Sequence, residues 1–461
     1  MKRIYILILG IICSFSFANS SFSQSVSSKT AFEKSCTYWN LSEADIPVML
    51  SEKLAYNNTI VAWCVTHPDK GFVIISADSL LQPILAYGCS LDGLDDTQHS
   101  QWKNILSTDY NNRITDARSK NNLKSHPQWS GKNSGSLLFE QWPAPGSTPT
   151  GGWIWTNWKQ SAPYNMLCPM DLNSGSRSVV GCPATAMAQI FNFHRTLNST
   201  HLDETDDYYH SYGAGNQYWI DDDYLTRFFP SFPQLNRLLD STESYMSQGI
   251  IVTDSMAAAI SFAAGVAAKQ VYTSSVSGTF GIDQALWAIE RFGFDLCILL
   301  EPPDTTINAR IAEDIKNALP VQLGLLTSDN TGGHNVVVDG YNTDEFYHFN
   351  FGWGGSANGW YTLPPTNIPY NLTIIEGAVV QIKSINTAVK PLVQNENSIR
   401  CLAFGDHKIK ISGLQSEKTY SFTLHSLQGK KLMERSITAD TGDYSLSYDN
   451  LVSGIYIYRG Q

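Results

Sequence analysis

Apolar positions along this chain change period three times. Ile60-Val61-Ala62-Trp63-Cys64-Val65, Gly71 through Asp78 and Ile84-Leu85-Ala86-Tyr87 are short runs rich in Val and Ile. Such runs bounded by polar residues predict strands. A helical stretch follows from about Trp102 to Arg118, so residues of about 25–125 predict a small α+β unit. Residues 119–136 carry Lys, Asn, Ser and Gly in a polar stretch with the composition of a flexible linker and a proteolysis site. A second unit, 137–385, opens with Trp142, Trp153, Trp155 and Trp158. Its apolar spacing then predicts helices over Ala184–Phe191, Ile250–Gln270, Ile282–Phe292 and Asn308–Asn317, with strands from Pro320 onward. The last unit, 392–461, has short alternating segments at Ile409–Ile411, Tyr420–Leu424, Tyr444–Ser447 and Ile455–Tyr458, which predict a small β-sandwich. No internal repeat interrupts this order.

The first residues follow another pattern. Lys2 and Arg3 precede an apolar run from Ile4 to about Phe17, followed by small and polar residues, as in a secretory leader over 1–24. No later apolar run is long enough to span a bilayer. The net charge is −11 with no basic cluster, which argues against a nucleic-acid partner. Beyond the leader lie Cys36, Cys64, Cys89, Cys168, Cys182, Cys297 and Cys401. An odd, sparse set is not a disulfide framework, and no C-x-x-C pair suggests zinc. The acidic stretches Asp203–Asp207 and Asp221–Asp223 read as solvated loops.

One cysteine stands out. Gly181-Cys182-Pro183 precedes the apolar helix, and proline suits the first helical position. Cys182 therefore falls at a helix N-terminus, where unpaired N–H groups favour a thiolate. A buried structural cysteine would look the same in isolation. A nucleophilic cysteine needs a base, an orienting group for that base, and an oxyanion hole. Among ten histidines, His334 has the telling setting: Gly332-Gly333-His334 opens a hydrophobic strand, and glycines admit a close backbone. A hairpin centred on Asn342 puts position 334 opposite position 350, with Cβ atoms roughly 5 Å apart. Asn350 could then accept the Nδ1–H of His334, while a slip of one residue would send it to the other face. His348, nearer the turn, is the competing partner. The N–H of Cys182 and the side-chain amide of Gln160 are the candidate oxyanion donors. Phe351, Trp353 and Trp360 could shield the histidine or simply pack.

With these residues assembled, the second unit resembles the streptopain family of papain-like cysteine peptidases. The matching blocks are Trp158-Lys159-Gln160 with Pro163-Tyr164-Asn165 and Cys168-Pro169; Val180-Gly181-Cys182 with Ala184 to Gln189; Gly333-His334 with Val338 to Tyr341; and His348-Phe349-Asn350 with Gly352 to Gly355. The resemblance implies an α+β, two-lobed papain-like fold. It implies Cys182 as nucleophile, His334 as base, Gln160 as oxyanion donor and Asn350 as the residue orienting the histidine. No cofactor or metal is implied. Protein or peptide substrates would meet Ser277, Gly278, Gly333 and Trp353, with an apolar residue two positions before the cut. Phe351 stands where relatives often have Trp, and Pro183 where a less rigid residue is common. Residues 25–136 look like the family's inhibitory propeptide through Gly71 to Asp78, so this unit would be an intramolecular partner of the site. Residues 392–461 are similar to sorting domains of secreted Bacteroidetes proteins through Leu427 to Leu432 and Leu451 to Tyr456, which implies a secretion machinery as partner. Such domains continue into a further strand where this sequence ends at Gln461, leaving open a truncated sorting domain or another β module. The overall expectation is a secreted cysteine endopeptidase made as a zymogen. A catalytically silent binding or inhibitor protein on the same fold, and acyl transfer to an amine, are the other readings.

Overall fold

The computed structural model describes residues 25–120, 124–130, 139–327, 332–366 and 372–383, together with the strands of 400–460. The expected leader, most of the polar stretch before 139 and the sorting-like motifs around 427–430 and 451–455 lie outside the described residues. Residues up to Asn386 form one unit and Thr387–Gln461 another.

In the first unit, α1 (Ser28–Trp39) precedes the meander β1 (Leu50–Tyr56), β2 (Thr59–His67), β3 (Gly71–Ser76) and β4 (Ile84–Gly88). The long α2 (Asp96–Ser119) follows, started by a capping box between Asp95 and Gln98. Next come β5 (Gln141–Trp142), the small hairpin β6 (Met170–Asp171) and β7 (Ser176–Arg177), and α3 (Cys182–His194). A second small hairpin, β8 (Tyr209–Ser211) and β9 (Gln217–Trp219), leads to α4 (Tyr224–Arg227), α5 (Phe232–Ser247), α6 (Asp254–Ala267) and α7 (Asp283–Arg291). β10 (Ile298–Leu300), α8 (Ile307–Lys316), β11 (Val321–Leu326), β12 (Gly333–Asn342), β13 (Phe346–Asn350), β14 (Gly359–Thr362) and β15 (Ile375–Val380) complete it.

One antiparallel sheet runs β1-β2-β3-β4-β14-β13-β12-β11-β15-β10, with β5 added beside β12. The two expected units therefore share a sheet. Their seam is β4 against β14, with Tyr87 opposite Trp360 and Gly88 opposite Gly359. Helix α2 reinforces it: Trp102 Nε1–H donates to the Tyr361 hydroxyl at 3.1 Å, and Arg113 Nη1 donates to the Thr362 hydroxyl at 2.8 Å.

Alternation along the strands sends neighbouring residues to opposite faces. Val337 and Val379 pack with α3, α6 and α7 in one core, while Val336, Val338, Leu323 and Ala378 pack with α2 and α8 in the other. A third core lies between α1 and the outer face of β2 and β3. α6 is buried all round through its alanines, as its unbroken apolar run predicts. α5 is not among the expected helices, although Phe232, Leu235, Leu239 and Met246 share one face and Ser231 and Gln234 form a capping box at its start. The acidic loops are structured rather than merely solvated: Asp206 pairs with Arg291, and Asp221 accepts the Phe232 N–H at 2.7 Å. The polar stretch expected as a flexible linker is pinned where it is described, with Trp129 Nε1–H donating to the Leu81 carbonyl and the His126 N–H to that of Ser79.

The C-terminal unit holds two three-stranded antiparallel sheets. β16 (Arg400–Phe404), β17 (Lys408–Ser412) and β20 (Asp443–Ser447) form one; β19 (Lys431–Thr438), β18 (Thr419–Ser426) and β21 (Tyr456–Gly460) form the other.

Candidate active site

Cys182 opens α3 behind Gly181, whose φ of 88° favours glycine. A Cβ at that position would also meet the Ser277 carbonyl oxygen at 2.8 Å, so the glycine lets the 271–278 segment lie against the helix start. The preceding backbone is laced in place. The Val180 N–H donates to the Gln160 carbonyl at 2.8 Å, and Gln270 Nε2 donates to the Val180 carbonyl at 2.6 Å. Gln160 is thereby held beside the nucleophile segment by its main chain. Gly278 lies beside Pro183, where a Cβ would find the ring at 3.8 Å. The Cys182 sulfur accepts the Asn335 N–H at 3.4 Å, which brings the start of β12 to the thiol.

The thiol itself is not the thiolate expected at a helix N-terminus. Burial pushes it up to about 11, and the Glu376 carboxylate adds to that against the Asn335 and Cys182 N–H groups. Desolvation outweighs the helix end here.

The histidine side departs from the expected pairing. The β12–β13 hairpin is centred on Asp344, not Asn342, and a bulge sits at Asp339. Asn350 therefore pairs with Val337 and shares its face, toward α3. His334 instead pairs with Leu325, on the face of Val336 and Val338. The two expected neighbours thus lie on opposite faces, the consequence of an odd offset in a period of two. His334 is 1% exposed. Its Nε2–H donates to the Phe351 carbonyl at 2.8 Å, so a main-chain oxygen takes the place expected for Asn350. Trp353 and Phe351 lie over the ring at 4.5 and 5.9 Å between centroids. Burial pulls the His334 pKa down to about 4, partly offset by the Phe351 carbonyl. No hydrogen bond joins His334 to Cys182 among the described residues.

Asn350 is occupied with α3. Its amide pairs reciprocally with that of Gln189, both at 3.3 Å, and its Nδ2 also donates to the Thr156 carbonyl at 3.0 Å. Gln189 Oε1 further accepts the Trp158 N–H at 3.1 Å. Gln189, a buried amide in a largely apolar helix, thus ties the cysteine helix to both the Gln160 segment and β13. Its signal in the sequence was that polarity among alanines. His348 is remote from this chemistry: its Nδ1–H donates to Asp339 at 2.6 Å, and both side chains are buried. Trp353 is further tied to the Gln160 segment by a bridge to Lys159, and the Gly354 N–H donates to the Trp158 carbonyl. At the head of β12, the Gly333 carbonyl accepts Gln101 Nε2–H from α2 at 2.8 Å.

The fold brings a cysteine at a helix start near a strand head that carries a histidine, behind an N-terminal unit that shares the sheet. A Prevotella intermedia prointerpain A fragment has this fold, with a TM-score of 0.51 at 21% identity over 74% of this chain and 100% of that one. Streptopain of Streptococcus pyogenes is 26% identical over 232 residues, covering 46% of this chain and 54% of streptopain. The thiol protease/hemagglutinin PrtT of Porphyromonas gingivalis is 27% identical over 210 residues, covering 45% of this chain and 23% of that protein. The chain thus spans about half the length of the streptopain it matches. Residues 158–361 match the Peptidase C10 family model, and over this segment the chain is similar to the streptopain family of cysteine proteases.

Proposed function

We propose that this chain is a secreted cysteine endopeptidase, described here in its latent form. The observation that carries the reading is the Asn335 N–H on the Cys182 sulfur, which puts the residue after His334 at the thiol. With Nε2 protonated toward the Phe351 carbonyl, the free basic atom of neutral His334 is Nδ1. Once the ring turns to the cysteine face, Nδ1 takes the thiol proton and the thiolate attacks the substrate carbonyl. The oxyanion is met by the Cys182 N–H and Gln160, His334 protonates the leaving amine, and water releases the acyl group. Asn350, held by Gln189, would orient the returned histidine.

Ser277 and Gly278 beside the helix start, with Gly333 and Trp353 on the histidine side, are the proposed contacts for a peptide substrate. The first unit acts as the inhibitor: Gln101 takes the Gly333 carbonyl, and α2 packs on the face where His334 is held. A leader over 1–24 exports the chain, and residues 392–461 engage the secretion machinery.

The test is the secreted protein beside its Cys182→Ala twin, assayed on casein and followed by mass spectrometry. Loss of the first 120–150 or so residues and casein cleavage by the first alone would support both peptidase and zymogen. Inertness of both, even after the polar stretch is nicked by an added protease, would leave a binding protein on a peptidase fold.

A further inference from the structure

Glu376 occupies an unusual place in β15. That strand pairs with β11 through Gly324 opposite Gly377 and Leu325 opposite Ile375, so Glu376 is an extra residue without a partner across the ladder. A bulge of this kind re-aims a side chain. Here Glu376 Oε1 accepts the Ile282 N–H at 3.2 Å. Oε2 lies over Gly324, where an added Cβ would stand 2.8 Å from it. Gly324 pairs in turn with Asn335, the residue whose N–H meets the Cys182 sulfur. The carboxylate therefore lies on the cysteine face of the sheet, one strand from the nucleophile. The 277–282 segment joins the same two points, since Ser277 abuts Gly181 and Ile282 holds Glu376. Gly324 makes room for the carboxylate itself, and Ile282 lies against the same spot.

Among the described residues no cation pairs with this acid. Its described electrostatic neighbours are Asp283 and Glu301, which with burial hold its carboxyl above the usual range. A half-buried carboxylate among like charges gains most from a cation brought by a ligand. We propose that Glu376 selects a lysine or arginine side chain close to the scissile bond of the substrate, with Ile282 covering the aliphatic stem. The inference rests on the peptidase reading and adds a determinant to it.

Two measurements test it, on wild type and Glu376→Gln, the amide keeping an acceptor for Ile282. The first compares kcat/KM of the processed protein for peptides differing only in arginine against citrulline at each position flanking the cut. At one position the arginine peptide should lead by about tenfold in wild type, and that lead should collapse in the variant. Equal rates in wild type, or a lead kept by the variant, overturn the proposal. The second uses the full-length chain without turnover. Cys182 is modified by cationic aminoethyl or anionic sulfonatoethyl methanethiosulfonate, and its peptide is followed by mass spectrometry. The cation-to-anion rate ratio should fall about tenfold in the variant, and an unchanged ratio counts against the proposal. If wild type cuts no peptide while this ratio still falls, the peptidase reading fails and the cation-selective cleft stands.

Discussion

The cysteine end of the site and the histidine end are built from different ranges of sequence. Gly181, Cys182 and Pro183 start a helix by local rules, and the distant Gln270 only braces the stretch of chain that leads into it. His334 depends on a strand pairing set by residues up to sixteen positions away, and on which face a bulge leaves it. The difference shows in the chemistry. The thiol is where its sequence puts it but is held protonated by burial, while the imidazole is turned from it and held neutral. On the proposed reading the nucleophile is set down once, whereas its base is the part that must move and so the point of control.

The comparison breaks first if either residue is dispensable. Cys182→Ala and His334→Ala should each cut kcat/KM of the processed protein by about ten-thousandfold or more. Full activity in His334→Ala with loss in His348→Ala would move the base to the other strand. Gln160→Ala should lower kcat by about a hundredfold while changing KM little, the signature of a donor used in the transition state. Alkylation of Cys182 by iodoacetamide at neutral pH should be at least about tenfold slower in the full-length chain than after processing, because a thiol near 11 is almost wholly protonated. Asn350→Ala should keep the fold and cost about tenfold in kcat, with Gln189→Ala matching it because the two amides pair.

The smallest effect is on stability. His334 has a pKa near 4 when folded and about 6.5 when unfolded, so the unfolded chain binds more protons between these values. The His334 contribution is complete above about pH 6.5 and is lost as pH falls toward 4. The melting temperature of the full-length chain should therefore drop more steeply over this window than that of His334→Gln. Parallel curves would mean that the ring is not held neutral.

Much of this was legible in the chain. The strands of the first unit, the cysteine helix, α6 to α8 and the strands of the last unit follow from apolar period, and so does the place of Cys182 at a helix start. What escaped was set at a distance. A turn at Asp344 rather than Asn342 and one bulge at Asp339 reversed the relation of Asn350 to His334, and neither leaves a mark in local propensity. The sharing of one sheet by two expected units was equally hidden, because β4 and β14 are more than 250 residues apart and carry no signal of each other. Nor does an N-terminal position alone give a thiol's pKa, since the burial that decides it comes from the whole fold.

The seam between β4 and β14 has a further consequence. Gly359 lets the backbones meet so closely that any side chain there would strike the Tyr87 carbonyl at 2.4 Å. Excision of the first unit would leave β14 with a bare rim of main-chain donors and acceptors, and the freed fragment with the matching rim on β4. Exposed rims of this kind recruit other strands. On the zymogen reading, the severed fragment would then fit back onto its own parent, and its inhibition, though not the cut, would stay reversible until that fragment is itself destroyed.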